Sequence, residues 1–330
     1  MTEHPNRPFD VSPSPPTPAP RPVLHPLVSV LVFLIVGFVV AQTVGAIPLV
    51  VWFVLHFEEM AKVFDTAPPS QIYAELMHRI GGFTLLLSTA LGYVPMLVVL
   101  VFWRQGIDRK SFLSLGLHWS RSAGRQLCAG LLTGAGAVIG LFAILVLTGD
   151  VRVRGWAVSN ISFISTVFIL LAYLLLFAVQ SGAEEIVCRG YLLQTVMEVW
   201  KPWVSVTVIS LFFGALHLLN PGASVVGFLQ NVLIGVVFSL AYLKTRALWF
   251  PIGMHIAWNF TLGTVVSLPV SGIETFRLLN VETVGSPLMT GGRYGLEASL
   301  LTLIGTVVGC GVGIVWLRAN SASEESPTNR

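Results

Sequence analysis

The chain has 330 residues, 54% hydrophobic and 11% charged, with a formal net charge of +3 and a mean hydropathy of +0.79. A soluble domain carries roughly 25% charged residues, so this composition excludes a soluble globular protein and points to an integral membrane protein. The basic residues are few and scattered over short loops, which suits membrane orientation and argues against a nucleic-acid partner.

Residues 1–25 hold eight prolines (Pro5, Pro8, Pro13, Pro15, Pro16, Pro18, Pro20 and Pro22) and read as a disordered tail with no cleaved signal peptide. A membrane span needs about 20 mostly apolar residues. Eight stretches qualify: 28–55, 80–103, 127–148, 162–181, 203–219, 224–243, 248–268 and 298–317. The expected fold class is all-α, a polytopic membrane bundle of about eight transmembrane helices. Its expected organisation is N-terminal transmembrane helices over 26–160, a core over 161–268, a polar loop over 269–297, a last helix over 298–318 and a second disordered tail over 319–330.

With eight spans both tails share one side, and that side holds 13 of the Lys and Arg residues against 6 on the other. Positive residues favour the cytoplasm, so both termini are expected there, with the 269–297 loop extracytoplasmic. The short loops and Pro-rich tails suit a multi-pass protein of a bacterial plasma membrane. Within the spans, Gly130/Gly134, Gly136/Gly140 and Gly309/Gly313 have the small-xxx-small spacing that lets helix backbones approach in lipid. Cys128, Cys188 and Cys310 are too scattered for a disulfide framework.

Ionisable groups inside a bilayer are costly and face cavities where they work. Of seven histidines, His4, His25, His56, His78 and His118 lie in tails, loops or span ends, whereas His217 and His255 are embedded in apolar sequence. "AVQSGAEEIVCRGYLL", residues 178–193, puts Glu184, Glu185 and Arg189 beside a long apolar run. Residues four apart share a helix face, which pairs Glu185 with Arg189 and His255 with Asn259, and stacks Phe213 one turn before His217. Glu184 points about 100° away from Glu185 and keeps its own partners. Glu58 and Glu59, with Lys62 nearby, end the first span and read as an interfacial cluster. Three helices thus offer polar faces that can converge in one pocket. A hydrogen-bonded packing role for each histidine, and a helix-locking role for the Glu–Arg pair, remain the alternatives.

"EEIVCRG", "FGALH" and "HIAWN" resemble the three motifs of the CAAX prenyl endopeptidase and bacteriocin-processing (CPBP, type II CAAX protease or Abi) family. The family pattern is Glu-Glu-x-x-x-Arg, Phe-x-x-x-His and His-x-x-x-Asn or Asp. It falls here on Glu184, Glu185 and Arg189, then Phe213 and His217, then His255 and Asn259, within about residues 163–268. Cys188 stands where relatives often carry an aromatic, and is expected to pack as a small hydrophobe.

The resemblance implies an intramembrane endopeptidase acting on a membrane-embedded or membrane-associated peptide, lipidated or C-terminal in some members. It implies Glu184 as general base, His217 holding the same water, and His255 and Asn259 stabilising the oxyanion. Glu185, Arg189 and Phe213 would support them. The family is often called metallo-, and zinc on Glu184, His217 and His255 is an alternative to a metal-free glutamate mechanism, although His-Glu-x-x-His spacing is absent. Rival readings are a non-catalytic scaffold or immunity protein of the same fold and a proton-coupled transporter.

Overall fold

The computed structural model describes residues 22–66 and 68–309. Most of the two expected tails, Cys310 and Gly313 lie outside them. The chain is an all-α bundle: α1 (Pro26–Leu55), α2 (Phe57–Thr66), α3 (Pro69–Gly106), α4 (Arg121–Thr148), α5 (Phe163–Glu185), α6 (Gln194–Val196), α7 (Pro202–Leu216), α8 (Val225–Thr245), α9 (Trp249–Phe260), α10 (Pro287–Thr290) and α11 (Leu300–Gly309). Local signals set the ends. Ser120, Ser162 and Ser224 cap α4, α5 and α8 by accepting from the backbone N–H three residues on. Prolines open α1 and α7 where no intrahelical donor is needed. Gly81, at φ 77°, kinks α3 close to the start of its apolar part, Arg79–Gly106.

Among the described residues six helices are long and apolar enough to cross a membrane, and the chain is a multi-pass membrane protein: Pro26–Leu55, Arg79–Gly106, Arg121–Thr148, Phe163–Val196, Pro202–Leu219 and Val225–Thr245. The expected count of eight is not reached among the described residues. The seventh stretch, 248–268, divides into the 12-residue α9 and a π-helical turn, Thr261–Val265. Only Leu300–Gly309 of the eighth is described. The fourth span is longer than its hydropathy indicates. α5 runs without a break through a π-helical stretch, Ile186–Leu193, into α6. Glu184 and Arg189 therefore sit inside one 34-residue helix, and Arg189, counted with the loops above, is fully buried.

α9 packs along α4, and the glycines explain how. A Cβ on Gly130 would lie 2.2 Å from Phe250 O, and one on Gly134 2.3 Å from Met254 O. Gly253 returns the contact against Leu127 O at 2.5 Å. The two backbones touch, as small-xxx-small spacing allows. Gly136 and Gly140 differ from the expectation: a Cβ there meets no atom within 4 Å among the described residues, so that pair makes no close helix contact with them. α1 and α3 approach the same way, Gly45 against Ser88 O and Gly92 against Ala41 O.

The 269–297 segment is less open than a polar loop. Its strand β2 (Leu279–Thr283) pairs antiparallel with β1 (Val151–Trp156), Val151 opposite Thr283. Arg154 binds Glu282 across this ladder. Tyr294, Leu296 and Glu297 are buried against the bundle. On the opposite side Arg104 and Asp108 are also buried and paired at 3.2 Å. Ser29 Oγ donates to Asp108 at 2.8 Å, and Trp103 Nε1 donates to Ser29 at 2.9 Å.

Candidate active site

Four elements bring the motif residues together. The end of α5 carries Glu184 and Glu185, the π-helical stretch carries Arg189, the end of α7 carries Phe213 and His217, and α9 carries His255 and Asn259. The π-helical winding begins directly after Glu185, and such stretches recur at functional sites.

Glu185 and Arg189 have no exposed surface, and Arg189 Nη1 donates to Glu185 Oε1 at 2.9 Å. The guanidinium lies 4.2 Å over the Phe213 ring and 5.3 Å from that of Phe238. These faces attract the cation where Nε and Nη2 have no hydrogen-bond partner. Phe213 is thus the floor under the arginine. It also packs against His217 in a tilted arrangement, 4.8 Å between ring centroids and 53° between planes.

His255 bridges the two glutamates. Its Nδ1 lies 3.0 Å from Glu185 Oε1, and its Nε2 lies 3.8 Å from Glu184 Oε2. A carboxylate only accepts, so Nδ1 carries a proton, and it is Nε2 that faces Glu184. This carboxylate–imidazole pairing fixes both tautomer and ring orientation.

Glu184 is held by a chain of neutral donors. Gln180 Nε2 donates to its Oε1 at 2.7 Å, and the Tyr93 hydroxyl of α3 donates to the same atom at 3.1 Å. Asn259 Nδ2 donates to Gln180 Oε1 at 3.3 Å and to Ser181 Oγ at 3.2 Å. The polarity of the chain is forced: the carboxylate must accept, so Gln180 turns its amide hydrogens to it and its oxygen to Asn259. Glu184 Oε2 is buried and has no partner.

His217 stands on the same cavity wall but forms no described hydrogen bond with Glu184. Its Nδ1 donates to Phe213 O at 2.9 Å, since a carbonyl only accepts, and Nε2 is left for the cavity. The cavity measures about 790 Å³ and extends from Glu184, His217 and His255 to the apolar faces of α1 and α3. Cys188 is buried on its wall.

For zinc on Glu184, His217 and His255, the donors as placed do not fit. Among the described residues no three His, Cys, Asp or Glu side chains are grouped to hold a metal. His255 Nε2 and Glu184 Oε2 lie 3.8 Å apart with no third such donor grouped beside them, while the Nδ1 bonds to protein oxygens leave each histidine Nε2 free.

Tyr93 and Gln180 went unread in the sequence. Gln180 had a usable signal, since it stands four residues before Glu184. Tyr93 had none, because its contact is made across 91 residues.

Residues 164–261 match the family described as type II CAAX prenyl endopeptidase Rce1-like. An uncharacterized protein of Bacillus subtilis (strain 168), YyaK, is 30% identical over 127 residues, which cover 37% of this chain and 42% of that protein. The chain thus matches about two-fifths of the length of this curated relative. No solved structure matches the chain. The matched segment holds Glu184, Glu185, Arg189, Phe213, His217, His255 and Asn259, and over residues 164–261 the chain is similar to the type II CAAX prenyl endopeptidase Rce1-like family.

Proposed function

We propose that the chain is an intramembrane endopeptidase that hydrolyses a peptide bond of a membrane-associated substrate with a water activated at Glu184. The observation that carries this reading is Glu184 Oε2. It is a buried, unpartnered carboxylate oxygen on the cavity wall, held in place through its other oxygen and facing His255 Nε2 at 3.8 Å.

A water donating one hydrogen to Glu184 Oε2 and the other to His255 Nε2 presents a lone pair to a carbonyl carbon in the cavity. Its oxygen bonds to that carbon, Glu184 takes the proton, and the carbonyl oxygen becomes an oxyanion. His217, whose Nε2 faces the cavity, serves the oxyanion as a donor when its ring is protonated. Glu184 then returns the proton to the amide nitrogen, the C–N bond breaks, and a carboxylic acid and an amine leave.

This arrangement moves His255 from the oxyanion, where the family resemblance put it, to the water. Asn259 becomes a positioning residue that acts through Gln180, because its amide hydrogens are both spent within the protein. Glu185 and Arg189 orient His255.

The test is cleavage of a panel of membrane-associated peptides in liposomes by the wild type, Glu184→Gln and His217→Ala, with and without chelator. Loss in both variants without a chelator effect supports the reading. Cleavage by Glu184→Gln at the wild-type rate removes the base, and chelator loss restored by zinc moves the chemistry to a metal. A scaffold of the same fold would tolerate Glu184→Gln.

A further inference from the structure

The cavity beside Glu184 has a second polar end that the proposed hydrolysis leaves unused. It is built from Gln230 and Asn231 of α8, Ser271 and Thr275 of the segment after α9, and Glu297 before α11. Glu297 is 7% exposed. It accepts from Trp258 Nε1 at 3.1 Å, from Ser271 N at 2.5 Å and from Ser271 Oγ at 2.7 Å. All three donors are neutral, and no Lys or Arg among the described residues pairs with it. Glu185, by contrast, has Arg189.

Gln230, 4% exposed, adds a second observation. Thr306 Oγ1 donates its hydrogen to Thr302 O, so it can only accept from Gln230, and Gln230 Nε2 lies 2.9 Å away. The amide is thereby locked with Oε1 turned from Thr306, buried and without a partner among the described residues. Thr275 Oγ1 is likewise buried and unpartnered. The wall of the whole cavity contains no Lys or Arg among the described residues. This end is therefore rich in acceptors and carries a negative charge that no cation offsets. A loop-stapling role accounts for the bonds to Trp258 and Ser271, but not for the orphaned Gln230 oxygen.

We propose that Glu297 and Gln230 form a subsite for a basic side chain, Lys or Arg, of the peptide substrate. Glu297 supplies the opposite charge, and Gln230 Oε1 accepts a further N–H. This rests on the peptidase reading for the source of the ligand, and it adds a selectivity that the motif residues lack: a positive residue near the scissile bond, in a segment otherwise apolar enough to enter the cavity.

The test uses an apolar peptide with one arginine and its citrulline counterpart, which keeps the shape and loses the charge. Binding is read by fluorescence anisotropy to the full chain in nanodiscs, in a Glu184→Gln background, and cleavage by mass spectrometry with the wild type. The arginine peptide is expected to bind about tenfold tighter, as for a charge pair formed out of water. Glu297→Gln should abolish that preference, and Glu297→Asp should keep it. If Glu297→Gln unfolds, Gln230→Met, which leaves the Ser271 and Trp258 bonds intact, should still lower the preference. Equal binding of both peptides, no binding of either, or a preference that survives Glu297→Gln overturns the subsite. A Glu297-dependent preference without any cleavage keeps the subsite and removes the peptidase. Equal cleavage of both peptides removes the subsite and keeps the peptidase.

Discussion

Replacing Arg189 with methionine tests what holds the site together. The substitution leaves the chain unbroken and roughly fills the side-chain volume, but it strands Glu185, which has no exposed surface. At the 2.9 Å separation seen here the gross attraction is about 6 kcal/mol for an effective dielectric near 20. Much of that offsets desolvation, so the quantity that matters is the cost of removing one partner, about 3–5 kcal/mol for a buried pair. Loss of the cation over Phe213, 4.2 Å away, adds about 0.5–2 kcal/mol. The single variant should therefore lose about 4 kcal/mol or more, while Glu185→Gln combined with Arg189→Met should lose far less than the two singles added, because no charge is left unpaired. Unfolding in mixed micelles with rising SDS, followed by fluorescence of the nine tryptophans, measures all four proteins of the cycle. An Arg189→Met variant within about 1 kcal/mol of wild type, or additive losses in the double variant, would refute the reasoning.

Three further outcomes are expected. Tyr93→Phe removes one of the two donors to Glu184 Oε1 and should lower kcat/KM about tenfold, the worth of a hydrogen bond to a charged group, with little change in the unfolding curve. Gly134→Leu drives a side chain into the α9 backbone at 2.3 Å and should prevent recovery of folded protein from detergent, whereas Gly140→Leu, with no atom within 4 Å, should purify like the wild type. Asn259→Leu should lower kcat and leave KM nearly unchanged, since it loosens Gln180 without touching substrate; a loss confined to KM would put Asn259 on the substrate.

The cost of polar groups in lipid made the site legible before its geometry was known. Glu184, Arg189, His217 and His255 stood out because each interrupts an apolar run, and the i, i+4 rule put Glu185 with Arg189 on one face. What periodicity cannot carry is a partner from a distant helix. Tyr93 is one tyrosine in a lipid-like stretch, and close packing such as that of Gly92 against Ala41 O brings its helix to the bundle. Hydropathy also cannot separate lipid-facing from protein-covered surface. The 248–268 stretch scores as a span, yet Ile252, Gly253, His255, Ile256 and Ala257 are all buried in protein, so α9 need not cross the bilayer to satisfy its composition. The β1–β2 ladder escaped because Val-Arg-Val-Arg alternation over six residues is easily taken for a charged loop. The buried Arg104 and Glu297 escaped because single charges at the edges of apolar runs look interfacial.

The position of Tyr93 along α3 sets a length. Eleven residues separate Tyr93, which touches Glu184, from Arg104 at the polar end of the same helix, and at 1.5 Å per residue this is about 16 Å. That is about half of a hydrocarbon core. Under the proposed function, a peptide lying flat at that end would stop about 16 Å short of the carboxylate, so a substrate must enter the bundle to be cut.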